Sequence, residues 1–302
     1  MPAGSHCRSP FGCVLTAMVS PFRPDGSVDL YGAAKLADHL VTLGNDGLVV
    51  NGTTGESPTT TDDEKRDLVR VVVEAVGDRA IVVAGCGTNN TAHSTELARQ
   101  AAAAGAAGLL AVTPYYSKPP QAGVVAHFRA LADATDLPLM LYDIPGRTAT
   151  PLEHDTLVRL AEHPNIRAVK DAKGDLESVV RVLSETDLLW YSGDDGLNLP
   201  FLSIGATGFV SVTGHLVADR LAQLLASFRA GDVEVARKIN DCLQPVSTGL
   251  FRAQGVIMTK AALNEQGLPA GPVRLPLVNA TSDQIAMLRR DLAAGGVPGF
   301  QA

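Results

Sequence analysis

The sequence lacks the features that mark several classes of protein. Its 25 lysines and arginines are outnumbered by 32 aspartates and glutamates in 302 residues, and no basic cluster stands out, so we expect no nucleic-acid partner. A membrane-spanning helix needs about 18 uninterrupted apolar residues, and no such run is present. Residues 1–10 show no cationic segment followed by a long apolar one, so we expect no secretory signal.

Paired cysteines and metal-binding motifs are also missing. The four cysteines are Cys7, Cys13, Cys86 and Cys242, and their spacing matches neither a disulfide framework nor a zinc site. We therefore expect reduced cysteines in a cytoplasmic protein. The seven histidines are dispersed, without a His-Glu-x-x-His motif. The sequence accordingly predicts no metal and no other cofactor.

What the sequence does contain is a regular alternation of short apolar runs and amphipathic stretches. The runs cover residues 13–19, 47–50, 80–84, 108–112, 138–142, 166–170, 188–191 and 208–212. Such alternation predicts parallel strands joined by crossover helices. Eight units at roughly 30-residue spacing favour a (β/α)8 TIM barrel. A Rossmann fold is not indicated, because its glycine-rich first turn is replaced by Ser20-Pro21-Phe22.

The pattern changes after the eighth unit. Residues 232–243, 255–264 and 282–293 look helical and are joined by a proline-rich linker at residues 268–276. We therefore predict a loose leader at residues 1–11, a barrel at 12–230 and a C-terminal helical extension at 231–302. We expect this extension to pack on the barrel instead of forming an independent domain.

Lys170 ends the sixth predicted strand. Because alternate side chains of a strand share a face, Lys170 should point the same way as Ala168 and Ile166. Desolvation of an amine beside this apolar face would lower its pKa and make it nucleophilic toward carbonyls. Taken alone, this strand end is more typical of a lysine that reaches into solvent, and the other strand ends change that balance.

In this fold the active site lies where the strands finish. After the second strand, the glycines of Asn51-Gly52-Thr53-Thr54-Gly55-Glu56 allow a tight turn that brings amides and hydroxyls against a small anion, or the segment simply starts a helix. Tyr142 shares a face with Met140 and should lie beside Lys170, either as a proton relay or as a core aromatic. Arg147 suits a carboxylate, although such an arginine can equally bind a surface acid.

The seventh strand is followed by Ser192-Gly193-Asp194-Asp195. These residues could serve a metal, a substrate amine or a helix N-terminus. We favour a helix start with contacts to the backbone.

Three motifs together resemble the dihydrodipicolinate synthase / N-acetylneuraminate lyase family of class I aldolases. They are Gly52-Thr53-Thr54-Gly55-Glu56, Tyr142-Asp143-Ile144-Pro145-Gly146-Arg147 and the strand-terminal Lys170. The resemblance covers roughly residues 12–292, including Ser192-Gly193-Asp194-Asp195 and Gly208-Phe209-Val210-Ser211-Val212. The order and spacing of these motifs on a barrel make the likeness specific.

The resemblance implies a role for each matched residue. Lys170 matches the Schiff-base lysine that takes up pyruvate, and Tyr142 matches the general acid/base. Thr53 and Thr54 match the residues that hold the pyruvate carboxylate and pass protons to Tyr142. Tyr116 matches the tyrosine that reaches into the neighbouring subunit's site and completes a Thr–Tyr–Tyr relay.

Three further positions match the substrate pocket of this family. Gly193 and Val210 match pocket-lining positions. Arg147 matches the arginine that receives the second substrate's carboxylate in the synthase branch, and sialic-acid lyases usually lack it. The resemblance thus implies a cytoplasmic enzyme that condenses pyruvate with L-aspartate 4-semialdehyde in lysine and diaminopimelate biosynthesis, as a homotetramer built from two dimers.

Three alternatives stay open at this point. The same Lys170 imine could serve an aldolase or dehydratase for a 2-keto-3-deoxy sugar acid. A metal-dependent pyruvate aldolase could use Glu56, Asp194 or Asp195. The third is a non-catalytic barrel that binds a keto acid or a partner, and the joint presence of Lys170, Tyr142 and Thr53 weighs against it.

Lysine-regulated members of the family bind the inhibitor between subunits. The matching positions here are Ser57, Pro58, Asp62, Lys65, Asn89, His93 and Tyr115. Regulated members typically carry a glutamate where His93 stands, and without it a cationic ligand should bind poorly beside Lys65. We therefore expect weak or absent inhibition by lysine.

Overall fold

The computed structural model describes residues 9–301 and has eight parallel strands that close into a barrel in chain order. The strands are β1 (Val14–Ala17), β2 (Gly47–Val50), β3 (Ile81–Gly85), β4 (Gly108–Val112), β5 (Leu139–Asp143), β6 (Ile166–Asp171), β7 (Leu189–Ser192) and β8 (Gly208–Ser211). Closure comes from the pairing of β8 with β1. The predicted (β/α)8 barrel is confirmed.

Helices follow the strands and cover the outside of the barrel. They are α1 (Leu30–Thr42), α2 (Asp62–Val76), α3 (Thr91–Ala103), α4 (Gln121–Ala132), α5 (Pro145–Thr148), α6 (His154–Ala161), α7 (Leu176–Glu185), α8 (Asn198–Ser203), α9 (Gly214–Arg229), α10 (Val233–Leu250), α11 (Gly255–Glu265) and α12 (Ser282–Ala294). Several of these helices begin with a side chain that caps the first turn. In α2, Thr61 and Glu64 form a capping box. Among residues 9–301, no helix is long and apolar enough to cross a membrane.

Apolar side chains form two separate clusters. The larger fills the space between the strands and the surrounding helices. The smaller fills the barrel itself and contains Met140, Tyr142, Ala168, Tyr191 and Val210. The strand alternation therefore sends Tyr142 and Met140 to the same face, as predicted.

An irregularity in β6 changes the predicted facing of one residue. Leu139 of β5 pairs with Ile166, whereas the next residue, Met140, pairs with Ala168, so Arg167 is an extra residue in β6. Arg167 is exposed, and Ile166 belongs to the outer cluster. The prediction that Ile166 shares the face of Lys170 is wrong, because this bulge breaks the two-residue alternation before Ala168.

Three helices, α10 to α12, follow the barrel. The sequence predicts that the first of them ends at residue 243, whereas α10 continues through Pro245 to Leu250. Val246 and Leu250 are fully buried in the outer cluster, and this packing outweighs the hydrogen bond that a helical proline removes. The proposed boundaries at residues 12 and 231 stay predictions.

The predicted leader at residues 1–11 stays a prediction, because only its last three residues are described. Residues 1–8 of the predicted leader, including Cys7, lie outside the described residues. Phe11 is fully buried and meets Tyr191 edge to face, with ring centroids 6.3 Å apart. Cys86 and Cys242 are free, whereas Cys13 is disulfide-bonded, so the expectation of four reduced cysteines is wrong for Cys13.

Candidate active site

Lys170 and Tyr142 lie next to each other inside the barrel. The register of β5 and β6 places Tyr142 opposite Lys170, and each residue is 5% exposed. The Lys170 Nζ atom lies 4.2 Å from the centroid of the Tyr142 ring. A buried amine is thus stacked on a phenol near the carboxyl ends of two neighbouring strands, where this fold places its chemistry.

The surroundings of Lys170 favour its neutral form. Burial lowers the pKa of Lys170 from 10.5 to about 8, against the opposing charge of Asp195, while the Arg147 charge lowers it further. Water stabilises the charged ammonium form, so burial away from water favours the neutral amine. A neutral amine is the form that can attack a carbonyl.

The surroundings of Tyr142 favour its protonated form. Burial raises the pKa of Tyr142 to about 12, while the Arg147 charge and a hydrogen bond with the Thr53 side chain act in the opposite direction. Tyr142 is therefore a proton donor at neutral pH. Its contact with Thr53 gives a path along which a proton can pass to a second hydroxyl.

Thr53 and Thr54 lie in a turn that follows β2. The Gly55 N–H donates to the Gly52 carbonyl and the Glu56 N–H to the Thr53 carbonyl, both at 3.1 Å. A side chain at Gly55 would meet the Met18 carbonyl at 3.2 Å, so glycine is required for this close approach. Thr54 is 8% exposed, and α2 begins only at Asp62. The motif is a strand-end turn, and its last residue, Glu56, is the N-cap of a short 3-10 helix, Ser57–Thr59.

Gly193 packs directly against the lysine. A Cβ atom at this position would lie 3.0 Å from both Cγ and Cε of Lys170. A larger residue would therefore require the Lys170 side chain to shift. Val210, the other predicted pocket residue, is 1% exposed and belongs to the cluster inside the barrel.

Asp194 and Asp195 bind the backbone, as favoured from the sequence. Asp194 accepts a hydrogen bond from the Gly196 N–H at 3.0 Å and caps a 3-10 helix. Asp195 accepts hydrogen bonds from the N–H groups of Val212 and Thr213, each at 2.8 Å. These bonds tie the end of β7 to the end of β8.

The carboxylates named in the metal-dependent alternative all have protein partners. Asp194 and Asp195 make the backbone bonds just described, and Glu56 lies 2.6 Å from the Lys260 ammonium. Among residues 9–301, no group of three or more His, Cys, Asp or Glu side chains is placed to hold a metal ion. The geometry therefore gives this alternative no support.

A cavity of about 510 Å³ opens at the strand ends, and Thr53 and Arg147 both line it. Arg147 is exposed on the one-turn helix α5. This turn is held by Thr148, whose hydroxyl donates to the Ile144 carbonyl at 3.2 Å and accepts from Thr113 at 3.1 Å. The guanidinium is thus placed to receive a carboxylate that enters the cavity.

Of the eight predicted site residues, Thr53 and Arg147 line the cavity, and Thr54 is buried in the same turn as Thr53. Lys170, Tyr142, Gly193 and Val210 lie inside the barrel and, of the described residues, are not among those that line the cavity. Thr53 connects them to the cavity, since its side chain interacts with the Tyr142 hydroxyl. Tyr116 lies apart from these residues. It is 89% exposed and has a φ of +73°, a backbone conformation that residues other than glycine rarely adopt.

All seven positions of the expected inhibitor site line the same cavity. The His93 Nε2 atom lies 3.0 Å from a carboxylate oxygen of Asp62. The buried Lys65 ammonium donates to the Thr60 carbonyl. A cationic ligand would meet this lysine with no glutamate at position 93, so weak inhibition by lysine stays our prediction.

Two groups near the site are ones that the sequence patterns do not indicate. Asp171 follows Lys170, and its carboxylate accepts hydrogen bonds from the backbone N–H groups of Lys173 and Gly174 at 2.7 and 2.9 Å, which fixes the turn after the lysine. The second is Lys260, the partner of Glu56. The one feature of the sequence that singles out Lys260 is its charge, which is the first in the mainly apolar helix α11.

Comparison with known proteins agrees with this geometry. The 4-hydroxy-tetrahydrodipicolinate synthase 2 of Streptomyces coelicolor is 62% identical over 297 residues, which are 98% of this chain and 99% of that protein. The 4-hydroxy-tetrahydrodipicolinate synthase of Acidothermus cellulolyticus is 62% identical over 292 residues, 97% and 95% of the two chains. The crystal structure of DHDPS from Cyanidioschyzon merolae with lysine bound has a TM-score of 0.94 and 44% identity, covering 96% of this chain and 99% of that one. Residues 10–294 match the model of the Dihydrodipicolinate synthetase family, and the chain therefore belongs to this family.

Proposed function

We propose that this protein is a 4-hydroxy-tetrahydrodipicolinate synthase, which condenses pyruvate with L-aspartate 4-semialdehyde in lysine and diaminopimelate biosynthesis. The observation that carries the proposal is the buried Lys170 amine stacked on Tyr142. Both substrates are carbonyl compounds, and one of them must be activated as a nucleophile. A neutral amine that forms an imine supplies this activation without a metal or a cofactor.

The first half of the reaction activates pyruvate. Neutral Lys170 attacks the ketone, Tyr142 gives a proton to the oxygen, and loss of water leaves an iminium ion. Thr53 and Thr54 hold the pyruvate carboxylate with their hydroxyl and amide groups. The iminium draws electrons from the methyl group, which loses a proton to the Tyr142 oxygen and becomes the nucleophilic carbon of an enamine.

The second half joins the two substrates. The enamine attacks the aldehyde of aspartate semialdehyde, whose carboxylate is bound by Arg147. A new carbon–carbon bond forms, and Tyr142 gives a proton to the former aldehyde oxygen. The amino group of the product then attacks the iminium carbon and displaces Lys170, which closes the ring. Lys170 returns to its free form, and one water has been lost overall.

We also propose that Tyr116 of a neighbouring subunit completes the Thr53–Tyr142 relay in a homotetramer built from two dimers. The support is that the Tyr116 side chain is 89% exposed and that its backbone is in the left-handed region, with a φ of +73°. Such strain persists only where surrounding contacts favour it. A cytoplasmic location belongs to the same proposal, as expected of an enzyme that uses intermediates of amino-acid biosynthesis.

The direct test is to incubate the protein with pyruvate, reduce with borohydride and map the modified residue by mass spectrometry. The same preparation is assayed with aspartate semialdehyde and with a panel of 2-keto-3-deoxy sugar acids. We expect a pyruvyl adduct on Lys170 and turnover of the semialdehyde. Cleavage of sugar acids without condensation of the semialdehyde would favour the other branch of the family.

The pH dependence of adduct formation follows from the state of Lys170. Because burial lowers the pKa of Lys170 to about 8, the reactive amine increases as pH rises through this value. Adduct formation should be about tenfold faster at pH 9 than at pH 7 and level off above that. Rapid mixing with pyruvate, borohydride quenching and intact-mass analysis measure the rate. A profile that rises only above pH 10 would contradict a desolvated lysine.

Replacement of Arg147 tests the second substrate's site. An Arg147→Met variant loses a charge-assisted bond to the semialdehyde carboxylate, so we expect KM for this substrate to rise about 10- to 100-fold. KM for pyruvate should change by less than about threefold, because Thr53 and Thr54 bind that carboxylate. Steady-state kinetics with each substrate varied in turn measure both constants. Arg129→Met, which removes an exposed arginine paired with Glu162, is the control.

A further inference from the structure

The turn that carries Thr53 and Thr54 is tied to the C-terminal helices by a buried ion pair. Lys260 of α11 lies 2.6 Å from Glu56, and the side chains are 2% and 1% exposed. The second carboxylate oxygen of Glu56 accepts the backbone N–H of Arg274 at 2.8 Å. Glu56 in turn donates its own N–H to the Thr53 carbonyl. One side chain thus joins the catalytic turn to two segments of the extension.

The Lys260 ammonium is satisfied from several directions. Besides Glu56, it donates to the Pro272 carbonyl at 2.8 Å and lies 4.0 Å from the centroid of the Phe22 ring. Burying two charges is costly unless additional hydrogen bonds satisfy the remaining donors and acceptors of the charged groups. An apolar pair would fill the same space, but in some proteins a buried ion pair specifies one arrangement of the segments that it joins.

The turn itself requires support from outside. Glu56 has a φ of +55°, in the left-handed region that is unfavourable for a residue with a side chain. Such a conformation persists where neighbouring structure holds it. The carboxylate contacts with Lys260 and Arg274 supply this hold from α11 and from the segment that follows it.

We propose that Glu56 and Lys260 are positioning residues, through which the C-terminal helices place the Thr53 hydroxyl against Tyr142 and the pyruvate carboxylate against Thr53 and Thr54. The inference rests on the proposed function, because it assigns the pair to the pyruvate half of the site. Arg147 is held separately by Thr148 and Thr113, so the aldehyde half does not depend on the pair.

The test compares Lys260→Met, Glu56→Gln and the double variant with the wild-type protein. Displacement of a catalytic group by about 1 Å costs on the order of 100-fold, so we expect kcat/KM for pyruvate to fall about 10- to 100-fold in each variant. KM for the semialdehyde should stay within about twofold. The double variant leaves no charge buried alone and should fold even if a single variant does not. Melting temperatures and borohydride trapping accompany the kinetics.

Arg252→Met is the matched control, since Arg252 pairs with Asp291 within the extension and away from the turn. It should lower stability without changing KM for pyruvate. The proposal is overturned if the double variant keeps wild-type pyruvate kinetics, if both substrates are affected equally, or if all three variants fail to fold, because the pair would then serve the fold alone. Absence of a pyruvate adduct in the wild-type protein would instead refute the proposed function.

Discussion

Lys170→Ala is expected to lower kcat by at least about 10⁴-fold, the scale of loss seen when a covalent nucleophile is removed. The enamine should then not be made, because Lys65, the other amine at the cavity, is bound to the Thr60 carbonyl. We also expect no pyruvyl adduct after borohydride reduction. Stability should not fall in parallel, because the substitution removes an amine whose charged form burial disfavours. Kinetics, intact-mass analysis and thermal melting measure the three quantities.

Lys173→Ala is the matched control for this prediction. Lys173 lies in the turn just after β6 and faces Asp175, with 3.7 Å between the charged atoms. We expect this variant to keep turnover within about twofold and to form the adduct normally, since surface ion pairs contribute little. Wild-type turnover in the Lys170→Ala protein, or equal losses in the two variants, would refute the imine mechanism.

Tyr142→Phe should lower kcat by about 10²- to 10⁴-fold, the range typical of general acid–base catalysis. The phenyl ring keeps the packing inside the barrel and the face on which the Lys170 amine lies. What is lost is the hydroxyl that donates a proton and bonds to Thr53. Adduct formation should still occur but more slowly, because the amine is intact while the departing water lacks its proton donor. Single-turnover trapping and steady-state rates separate the two effects.

Tyr191→Phe removes a comparable hydroxyl from the same barrel interior. Tyr191 is fully buried and pairs with Lys170 across β6 and β7, but its hydroxyl donates to the Gly12 carbonyl at 2.7 Å. Loss of this bond should cost about 1 kcal/mol of unfolding free energy and leave kcat within about twofold. If Tyr142→Phe behaves in the same way, Tyr142 is a structural residue and the relay is wrong.

The sequence was sufficient for those parts of the site that depend on short-range periodicity. Strand alternation placed Tyr142 on the same face as Met140 and beside Lys170, because interior and exterior side chains alternate along every strand of a barrel. The strand-end turn of Thr53 and Thr54 followed from two glycines at fixed spacing. Each of these inferences needs only neighbours along one strand or across one strand pair.

Other features depend on contacts between distant segments and left little trace in local patterns. The Glu56–Lys260 pair joins residues about 200 positions apart, and a lone lysine in an apolar helix does not name its partner. Continuation of α10 through Pro245 is decided by burial of Val246 and Leu250. The exposure of Tyr116 cannot be read from its position after β4, because packing outside the strand decides it.

The extra residue at Arg167 has a consequence for how this fold can vary in length. On the N-terminal side of Arg167, β6 can gain or lose a residue without a change in the facing of Lys170, because the strand register is already irregular there. Between Ala168 and Lys170 the strand is regular: one inserted residue would turn the amine outward and bring the side chain of Val169 or of the inserted residue into its place. Natural length variation in β6 should therefore be confined to the side of Ala168 away from the reacting amine.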